Sequence, residues 1–535
     1  GYNTLMSFTT GQQNTIVGSY AGDAITTGNY NTFLGSGAGG AITTGAQNTF
    51  VGRNVGTGAD DANYNVGVGD TIMNANFGNT NIGIGYTVAT AITGTGNIAI
   101  GNNVNTVSNS RNYTIGIGVN ALRNNNMHYI IAIGFQAGEN NTSGDENTYL
   151  GYSAGWKNQT GQYVTAVGYE AGAYATGSKN TFVGRRAGKG SDSTPYASGD
   201  MNTAMGYDAM RGLTTGYRNV SIGHRAGENI NTGYGNTYIG GYRTGYYNQA
   251  GHSNVGIGSS AIGADANNYV NELVAVGVAA GALTAGNVGD TDGNVYVGYN
   301  AGYSNVSGSH LTFLGFKAGQ NATGSNNTFL GYQAGQGTGG ASATTGPNNT
   351  AVGYQALIAF TSAEDNTALG MFAGRALTTG NSNTLLGNGA GDTMTATSNT
   401  VLIGINAGTA INHTDANGTV AIGKQAGAGI TSGQYNTAIG YEAGKNQSTA
   451  DGNTFVGYQS GRQTTGDNNT ALGKYTMYEG AGADGNTAIG TNALQNNTAD
   501  NNTALGYNAL TAATTGTGNV AIGANALLKA NHADA

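Results

Sequence analysis

One pattern in the sequence matches a hydrolase motif. Residues 151–155 read Gly-Tyr-Ser-Ala-Gly and match the Gly-x-Ser-x-Gly turn that presents the nucleophilic serine of many hydrolases. The same pattern recurs along the chain with Glu170, Gln333 or Glu442 in place of the serine. Ser153 therefore occupies a variable position of a repeat, and we expect no catalytic serine.

The residues that could bind a metal ion are few. Asp290 and Asp292 place two carboxylates beside a glycine turn, which suits a hard cation such as calcium, and they are the one metal candidate in the sequence. The twelve-residue calcium loop with its terminal glutamate is missing around them. The six histidines lie in different coils, too far apart to share a metal ion, so we expect no zinc site and no cofactor.

The composition limits the class of protein. Of 535 residues, 96 are glycine and only 2 are proline, charged residues make up 9 %, and cysteine is absent. This profile fits neither the triplets of collagen nor the charge-rich or proline-rich composition of disordered chains. The net charge is −8 and no basic block is present, so nucleic acid is not an expected partner. No apolar run approaches the length of a membrane span, so we expect no membrane insertion within this segment.

A repeat of 16 or 17 residues runs through the whole chain. Its unit reads Asn-Thr-x-(Ile/Leu/Val)-Gly-Tyr-x-Ala-Gly and is followed by a polar turn. The first glycine of the unit, here called the reference glycine, recurs 31 times, from Gly1 to Gly523. A period this short suits one coil of a β-solenoid rather than a helix pair or a propeller blade.

The repeat predicts the domain organisation. We expect an all-β fold in which residues 1–535 form one continuous parallel β-solenoid of about 30 coils. Longer turns occur near 185–205, 278–297 and 332–352, and they leave the strand motif intact. Insertions tolerated on one side of a repeat mark an outward edge, where a binding function could lie.

The strand columns predict an assembly. The residue before the reference glycine and the residue two positions earlier share one strand face, and we expect them to fill the coil. The middle residue between them then faces outward, yet it is never charged, so we expect it to pack on other copies of the chain. The predicted trimer-interface residues are Phe33, Phe50, Tyr149, Phe182, Tyr238, Tyr296, Phe313, Phe329, Leu385 and Phe455.

Two further repeat positions, one rich in Asn and one rich in Tyr, are expected to form stacked rows of side chains. Asn usually begins the strand, and stacked coils would align these amides at about 4.8 Å for a hydrogen-bonded ladder. Tyr often follows the reference glycine and is expected to stack at a coil corner; alternatively, exposed rings there bind a host-surface glycan or protein. The surface candidates are Tyr152, Tyr169, Tyr332, Tyr441 and Tyr458.

Short words within the repeat resemble a known family. Asn-Thr-Ala-Ile-Gly at 436–440 and 486–490, and Asn-Thr-Ala-Leu-Gly at 469–473 and 502–506, resemble the head repeats of YadA-like trimeric autotransporter adhesins and similar repeats of phage tail fibres. The resemblance implies a left-handed parallel β-roll, three chains around a common axis, and a role in attachment. The period here is longer than the family's coil, and no stalk, membrane anchor or chaperone domain is recognisable.

These observations favour a structural and adhesive extracellular fibre segment, on a cell surface or a virion, that acts as a homotrimer and attaches through many contacts. The alternative is a monomeric solenoid that binds an ordered surface such as ice or polysaccharide, which needs a regular outward Thr column. An enzyme that cleaves glycans ranks last, because such cleavage needs two nearby carboxylates and the acids here are scattered in turns. We therefore expect no enzymatic activity.

Overall fold

The chain folds as an all-β parallel solenoid with almost no helix, as expected from the repeat. The computed structural model describes residues 1–90, 92–106, 110–263, 270–283, 292–338 and 344–530. The chain divides into two compact units, Gly1–Tyr269 and Val270–Ala535. One 3-10 turn, Thr414–Ala416, is present in the second unit. In the described ranges no helix is long and apolar enough to cross a membrane.

In the first unit, each coil contributes one strand, which pairs in parallel with the strand of the next coil. Equivalent repeat positions are in register, so that Ile16 aligns with Phe33 and Val17 aligns with Leu34. The strands are β1 (Thr15–Val17), β2 (Thr32–Leu34), β3 (Thr49–Val55), β4 (Val66–Ile72), β5 (Ile82–Val88), β6 (Ile98–Asn102), β7 (Ile115–Ile117), β8 (Ile131–Ile133), β9 (Thr148–Leu150), β10 (Thr165–Val167), β11 (Thr181–Val183), β12 (Thr203–Met205), β13 (Val220–His224), β14 (Thr237–Tyr242) and β15 (Val255–Ile257).

The second unit repeats this arrangement. Its stacked strands are β16 (Val274–Val276), β17 (Val295–Val297), β18 (Thr312–Leu314), β19 (Thr328–Leu330), β20 (Thr350–Val352), β21 (Thr367–Leu369), β22 (Thr384–Leu386), β23 (Val401–Ile403), β24 (Val420–Ile422), β25 (Thr437–Ile439), β26 (Thr454–Val456), β27 (Thr470–Leu472), β28 (Thr487–Ile489), β29 (Thr503–Leu505) and β31 (Val520–Ile522). A short pair, β30 (Ala512–Ala513) and β32 (Lys529–Ala530), lies beside them.

The predicted orientation of the strands is wrong: the middle residue of each strand faces the inside of its own coil. Phe33 is fully buried within one chain, whereas the next residue, Leu34, is 48 % exposed. All ten residues predicted to form a trimer interface are buried in this way inside their own chain. They are Phe33, Phe50, Tyr149, Phe182, Tyr238, Tyr296, Phe313, Phe329, Leu385 and Phe455.

The physical reason is the space across the coil. The Phe33 ring packs over Gly39, six residues later, and the Tyr149 ring packs over Gly155 in the same way. A Cβ added at either glycine would overlap the ring. Where the residue six positions later is large, the middle residue is small, as where Gly116 faces Leu122. The two positions therefore share one interior volume, which must be filled without voids or overlap.

The buried Asn ladder is confirmed. The backbone N–H and the side-chain Nδ2 of Asn48 both donate to Oδ1 of Asn31, at 2.9 and 3.1 Å. Nδ2 of Asn48 also donates to the carbonyl oxygen of Ala62 at 2.7 Å. The same contacts recur where Asn219 follows Asn202 in the stack. The ladder thus satisfies polar groups that would otherwise be buried without partners.

The reference glycines allow close approach between coils. Gly151 has a φ of +136°, a conformation that side chains with a Cβ rarely adopt. A Cβ added at Gly151 would also overlap the backbone of Gly168, the reference glycine of the next coil. Both the backbone conformation and the spacing of the coils therefore require glycine at this corner.

Candidate functional site

The outward sheet face consists of the first and third residues of each stacked strand. In β22, Thr384 and Leu386 are exposed on either side of buried Leu385. Of the thirty stacked strands that the structure describes, eighteen begin with Thr and twelve with Val or Ile, and the third residue is always Val, Ile, Leu or Met. Thr and Val have nearly the same shape, so the first position is occupied by a β-branched side chain whether or not it carries a hydroxyl.

The corner tyrosines stack on one another, as the sequence predicts. The Tyr152 ring lies between the rings of Phe135 and Tyr169, with centroids 5.0 Å away on each side. Tyr332 stacks with Tyr354, and Tyr441 stacks with Tyr458, at 5.1 Å. The five candidate tyrosines, Tyr152, Tyr169, Tyr332, Tyr441 and Tyr458, are all about half exposed.

This stacking restricts what the corner column can bind. A sugar that packs on an aromatic side chain covers the ring face, which in this column is already covered by the neighbouring ring. The exposed parts are the ring edges and the hydroxyl groups. The column therefore adds apolar edges beside the outward sheet face and offers few open ring faces.

Of the sequence candidates for chemistry, the structure describes Ser153 and Asp292. The Ser153 side chain is nearly buried, and its hydroxyl lies 3.5 Å from Oε1 of Gln136, one coil away in the same column. Asp290 lies outside the described residues. The backbone oxygen of Asp292 accepts the N–H of His310 at 3.2 Å. The described part of the chain contains no group of three His, Cys, Asp or Glu side chains that could hold a metal ion.

The turn near 185–205, the one long insertion described in full, borders an open cavity of about 330 Å³. Its lining comes from this turn and from the corner of the following coil. The lining residues are Lys189, Gly190, Ser191, Asp192, Arg211 and Gly212. The insertion is predicted from the sequence as an outward edge, but these residues are not, because only coil stacking brings Lys189 and Arg211 to the same cavity.

The two basic residues of the cavity form ion pairs with nearby carboxylates. Nζ of Lys189 lies 2.9 Å from Oδ1 of Asp192 and 3.6 Å from Oε2 of Glu170. Nη2 of Arg211 lies 3.1 Å from Oε1 of Glu228, whose side chain is fully buried. Glu228 also pairs with Arg225, and this hydrogen bond raises the pKa of the Arg225 guanidinium. These pairs fix the positive groups at the cavity in place.

Aromatic side chains lie on the neighbouring coils. The ring of Trp156, the single tryptophan, is 5.6 Å from that of Tyr174, and Tyr174 is 5.9 Å from Tyr196. Nζ of Lys189 lies 5.3 Å from the centre of the Tyr174 ring, so one lysine contacts both the cavity and this aromatic cluster. Nζ of Lys157 lies 4.1 Å from the centre of the Trp156 ring.

The surrounding coils are unusually basic. Residues 157–243 contain nine of the 19 Lys and Arg residues but only five of the 27 Asp and Glu residues, a local charge of +4 in a chain of −8. A count of charges in windows along the sequence would have revealed this segment. The cavity lies within it.

No protein-family model matches the chain, and no curated protein has a detectably similar sequence.

Proposed function

We propose that this chain is a structural and adhesive segment of an extracellular fibre, on a cell surface or a virion, in which three copies pack through their outward sheet faces. The supporting observation is the outward column of Val, Ile, Leu and Met side chains, which is present in each described stacked strand of both units and never carries a charge. Soluble monomers rarely expose so extensive an apolar surface. Burying it would also remove the Thr and Val side chains of the first position from water.

A second copy of the chain is the partner that best fits this face. The partner must present a row of apolar side chains with the same spacing from coil to coil, and a second copy of the chain has such a row. In a closed ring of three, each chain contacts its two neighbours through two different parts of its surface, so outward faces turned toward the common axis would all be covered. The number three and the left-handed coil come from the resemblance to trimeric adhesin repeats.

Charge placed on the outward sheet face tests this assembly. In the double variant Leu386→Glu and Ile403→Glu, a lone chain keeps both carboxylates in water, whereas a trimer buries them near like charges from its neighbours. We expect the wild-type protein to show three times the chain mass in sedimentation and the variant to dissociate or melt at a lower temperature.

A matched control uses the turn before the same strands. Ser382→Glu and Asn399→Glu add the same charge at exposed positions of the same two coils, where Glu146 stands in another coil. This control is expected to keep the wild-type mass and melting temperature. A wild-type mass of one chain, or equal behaviour of the two double variants, would contradict the trimer.

The second candidate is a monomer that binds an ordered surface such as ice or crystalline polysaccharide. It is favoured by the outward Thr column: the sequence predicts these threonines inside the coil, but Thr32 and Thr312 are exposed. The column is interrupted, however: β4 to β8 all begin with Val or Ile. A single-chain mass together with inhibition of ice growth, or with adsorption to crystalline cellulose, would favour this candidate over the fibre.

A further inference from the structure

The cavity between the turn near 185–205 and the next coil combines features of a ligand site. Its volume of about 330 Å³ is within the range of small-molecule pockets and has room for one sugar ring. Arg211 and Lys189 reach it from two different coils, and Ser191 and Asp192 add a hydroxyl and a carboxylate. The features converge at one place, unlike the repeated columns that run along the coils.

We propose that this cavity binds a carboxylate-bearing sugar, as part of an acidic glycan. The guanidinium of Arg211 is 43 % exposed and is anchored through one nitrogen to buried Glu228, which leaves other N–H groups free to bind a carboxylate in a forked geometry. This inference rests on the proposed attachment role and specifies the class of ligand.

The charge balance favours an acidic sugar over a neutral one. The ammonium of Lys189 is only 14 % exposed and pairs both with Glu170 and with Asp192, of which Asp192, 67 % exposed, is the outer partner. A ligand carboxylate can take the place of Asp192 beside Lys189 without moving a buried group. The basic coils of 157–243 would also attract an anionic ligand over several ångströms.

The aromatic cluster provides a built-in reporter and a second contact. Trp156 lies three coils from Arg211, and Lys189 links the cavity to Tyr174, the neighbour of Trp156. A glycan of several sugars bound at the cavity can extend toward these rings. Because Trp156 is the single tryptophan, its fluorescence reports on this region alone.

The test is a fluorescence and calorimetric titration of the intact protein with trigalacturonate, its methyl-esterified form, sialyllactose and lactose. We expect one or both acidic sugars to bind and their neutral counterparts to bind at least about tenfold more weakly, since a charge-assisted hydrogen bond typically contributes that much. Failure of both acidic sugars, equal binding of the neutral sugars, or equal binding of inorganic sulfate would overturn the proposal.

Three variants locate the site. Arg211→Gln, which leaves Glu228 paired with Arg225, should weaken acidic-sugar binding roughly 10- to 100-fold. Asp192→Asn should tighten it, because it removes the carboxylate that competes for Lys189; weaker binding would indicate a site for neutral sugars and refute the proposal. Arg375→Gln, which breaks a similarly exposed pair with Asp392 in the other unit, is the control and should leave binding unchanged.

The outcome is independent of the assembly. Every lining residue belongs to one chain, so a protein with a single-chain mass that binds trigalacturonate would contradict the trimer and keep this site. A trimer that binds no acidic sugar would support the assembly and reject this site. A change of binding in Arg375→Gln equal to that in Arg211→Gln would show unspecific attraction and would also reject the site.

Discussion

Two stretches of the second unit fill the same kind of coil in opposite ways. In coils 312–335, Phe313 and Phe329 fill the interior, and the residues six positions later, Gly319 and Gly335, leave room for the rings. In coils 487–510 the middle residues are Ala488 and Ala504, and the residues six positions later are the buried Leu494 and Leu510.

The backbone is nearly unchanged between the two arrangements. Gly319 has a φ of +55° and Leu494 a φ of +49°, so the same corner conformation accepts either residue. The interior of these coils therefore has a fixed volume, and the side chain that fills it can come from either wall. A large residue on one wall requires a small one on the other.

The largest effect is expected from Phe329→Asp, which breaks the aromatic arrangement. A carboxylate inside the coil has neither water nor a partner, so we expect a loss of several kcal/mol and unfolding of the neighbouring coils. Thermal unfolding followed by circular dichroism measures this, with Phe329→Leu as the milder control. Because the ring is buried in its own chain, the loss is expected for a monomer and a trimer alike.

The next largest effect is expected from exchanging the two arrangements. Ala488→Phe places a ring against Leu494 and should cost about 1–3 kcal/mol or more through overpacking. The double variant Ala488→Phe, Leu494→Gly recreates the aromatic arrangement and should recover more than half of that loss. Chemical denaturation of the single and double variants measures the coupling, and simple additivity would disprove a shared interior volume.

A third prediction separates the coils filled by Tyr from those filled by Phe. Burial raises the pKa of Tyr149, Tyr238 and Tyr296 well above the usual value near 10, and their hydroxyl groups accept hydrogen bonds from buried Asn side chains. The folded chain therefore keeps these groups neutral at a pH where the unfolded chain ionises them. Stability is thus unaffected below pH ~10 and falls above it, by about 1.4 kcal/mol per pH unit for each tyrosine.

The measurement is the free energy of unfolding as a function of pH between about 8 and 12. The triple variant Tyr149→Phe, Tyr238→Phe, Tyr296→Phe should lose stability at neutral pH, by about 1 kcal/mol per lost hydrogen bond, but should show a flatter decline in alkali. An unchanged alkaline slope would show that these hydroxyl groups do not resist ionisation.

The smallest effect is expected from Ser325→Asp, in the turn before the coil of Phe329. Oγ of Ser325 accepts the N–H of Ser309, and Asp484 accepts the N–H of Asp467 at the same repeat position. An aspartate can therefore replace the serine without losing the contact, and stability should change by no more than about 0.5 kcal/mol. A large loss would mean that this turn is more constrained than its contacts indicate.

The solenoid fold could be predicted from the sequence because its period is local. Each repeat carries its own strand, corner glycine and ladder Asn, so the stacked strands, the Asn48 to Asn31 contact and the tyrosine stacks all follow from aligning equivalent positions. The orientation of the strands could not be derived from alternation, because a period of two shows which residues share a face but not which face is inside.

The sequence nevertheless contained a signal for the orientation. Phe33 is followed six residues later by Gly39, and Ala488 is followed by Leu494; in both pairs the volumes complement each other within one coil. A second kind of pair joins Tyr149 to Asn158, nine residues later, whose Nδ2 donates a hydrogen bond to the buried hydroxyl. These pairs could have been read as contacts across one coil instead of contacts between chains.

The sequence by itself thus determined the repeat, the parallel coils and their ladders, because these depend on residues within one period. Only the tertiary structure decided which strand face is buried, since that depends on which side chains meet across the coil. It alone also decided that Lys189 and Arg211 line one cavity, because they lie 22 positions apart in the chain and only the stacking of one coil on the next brings both to the same place.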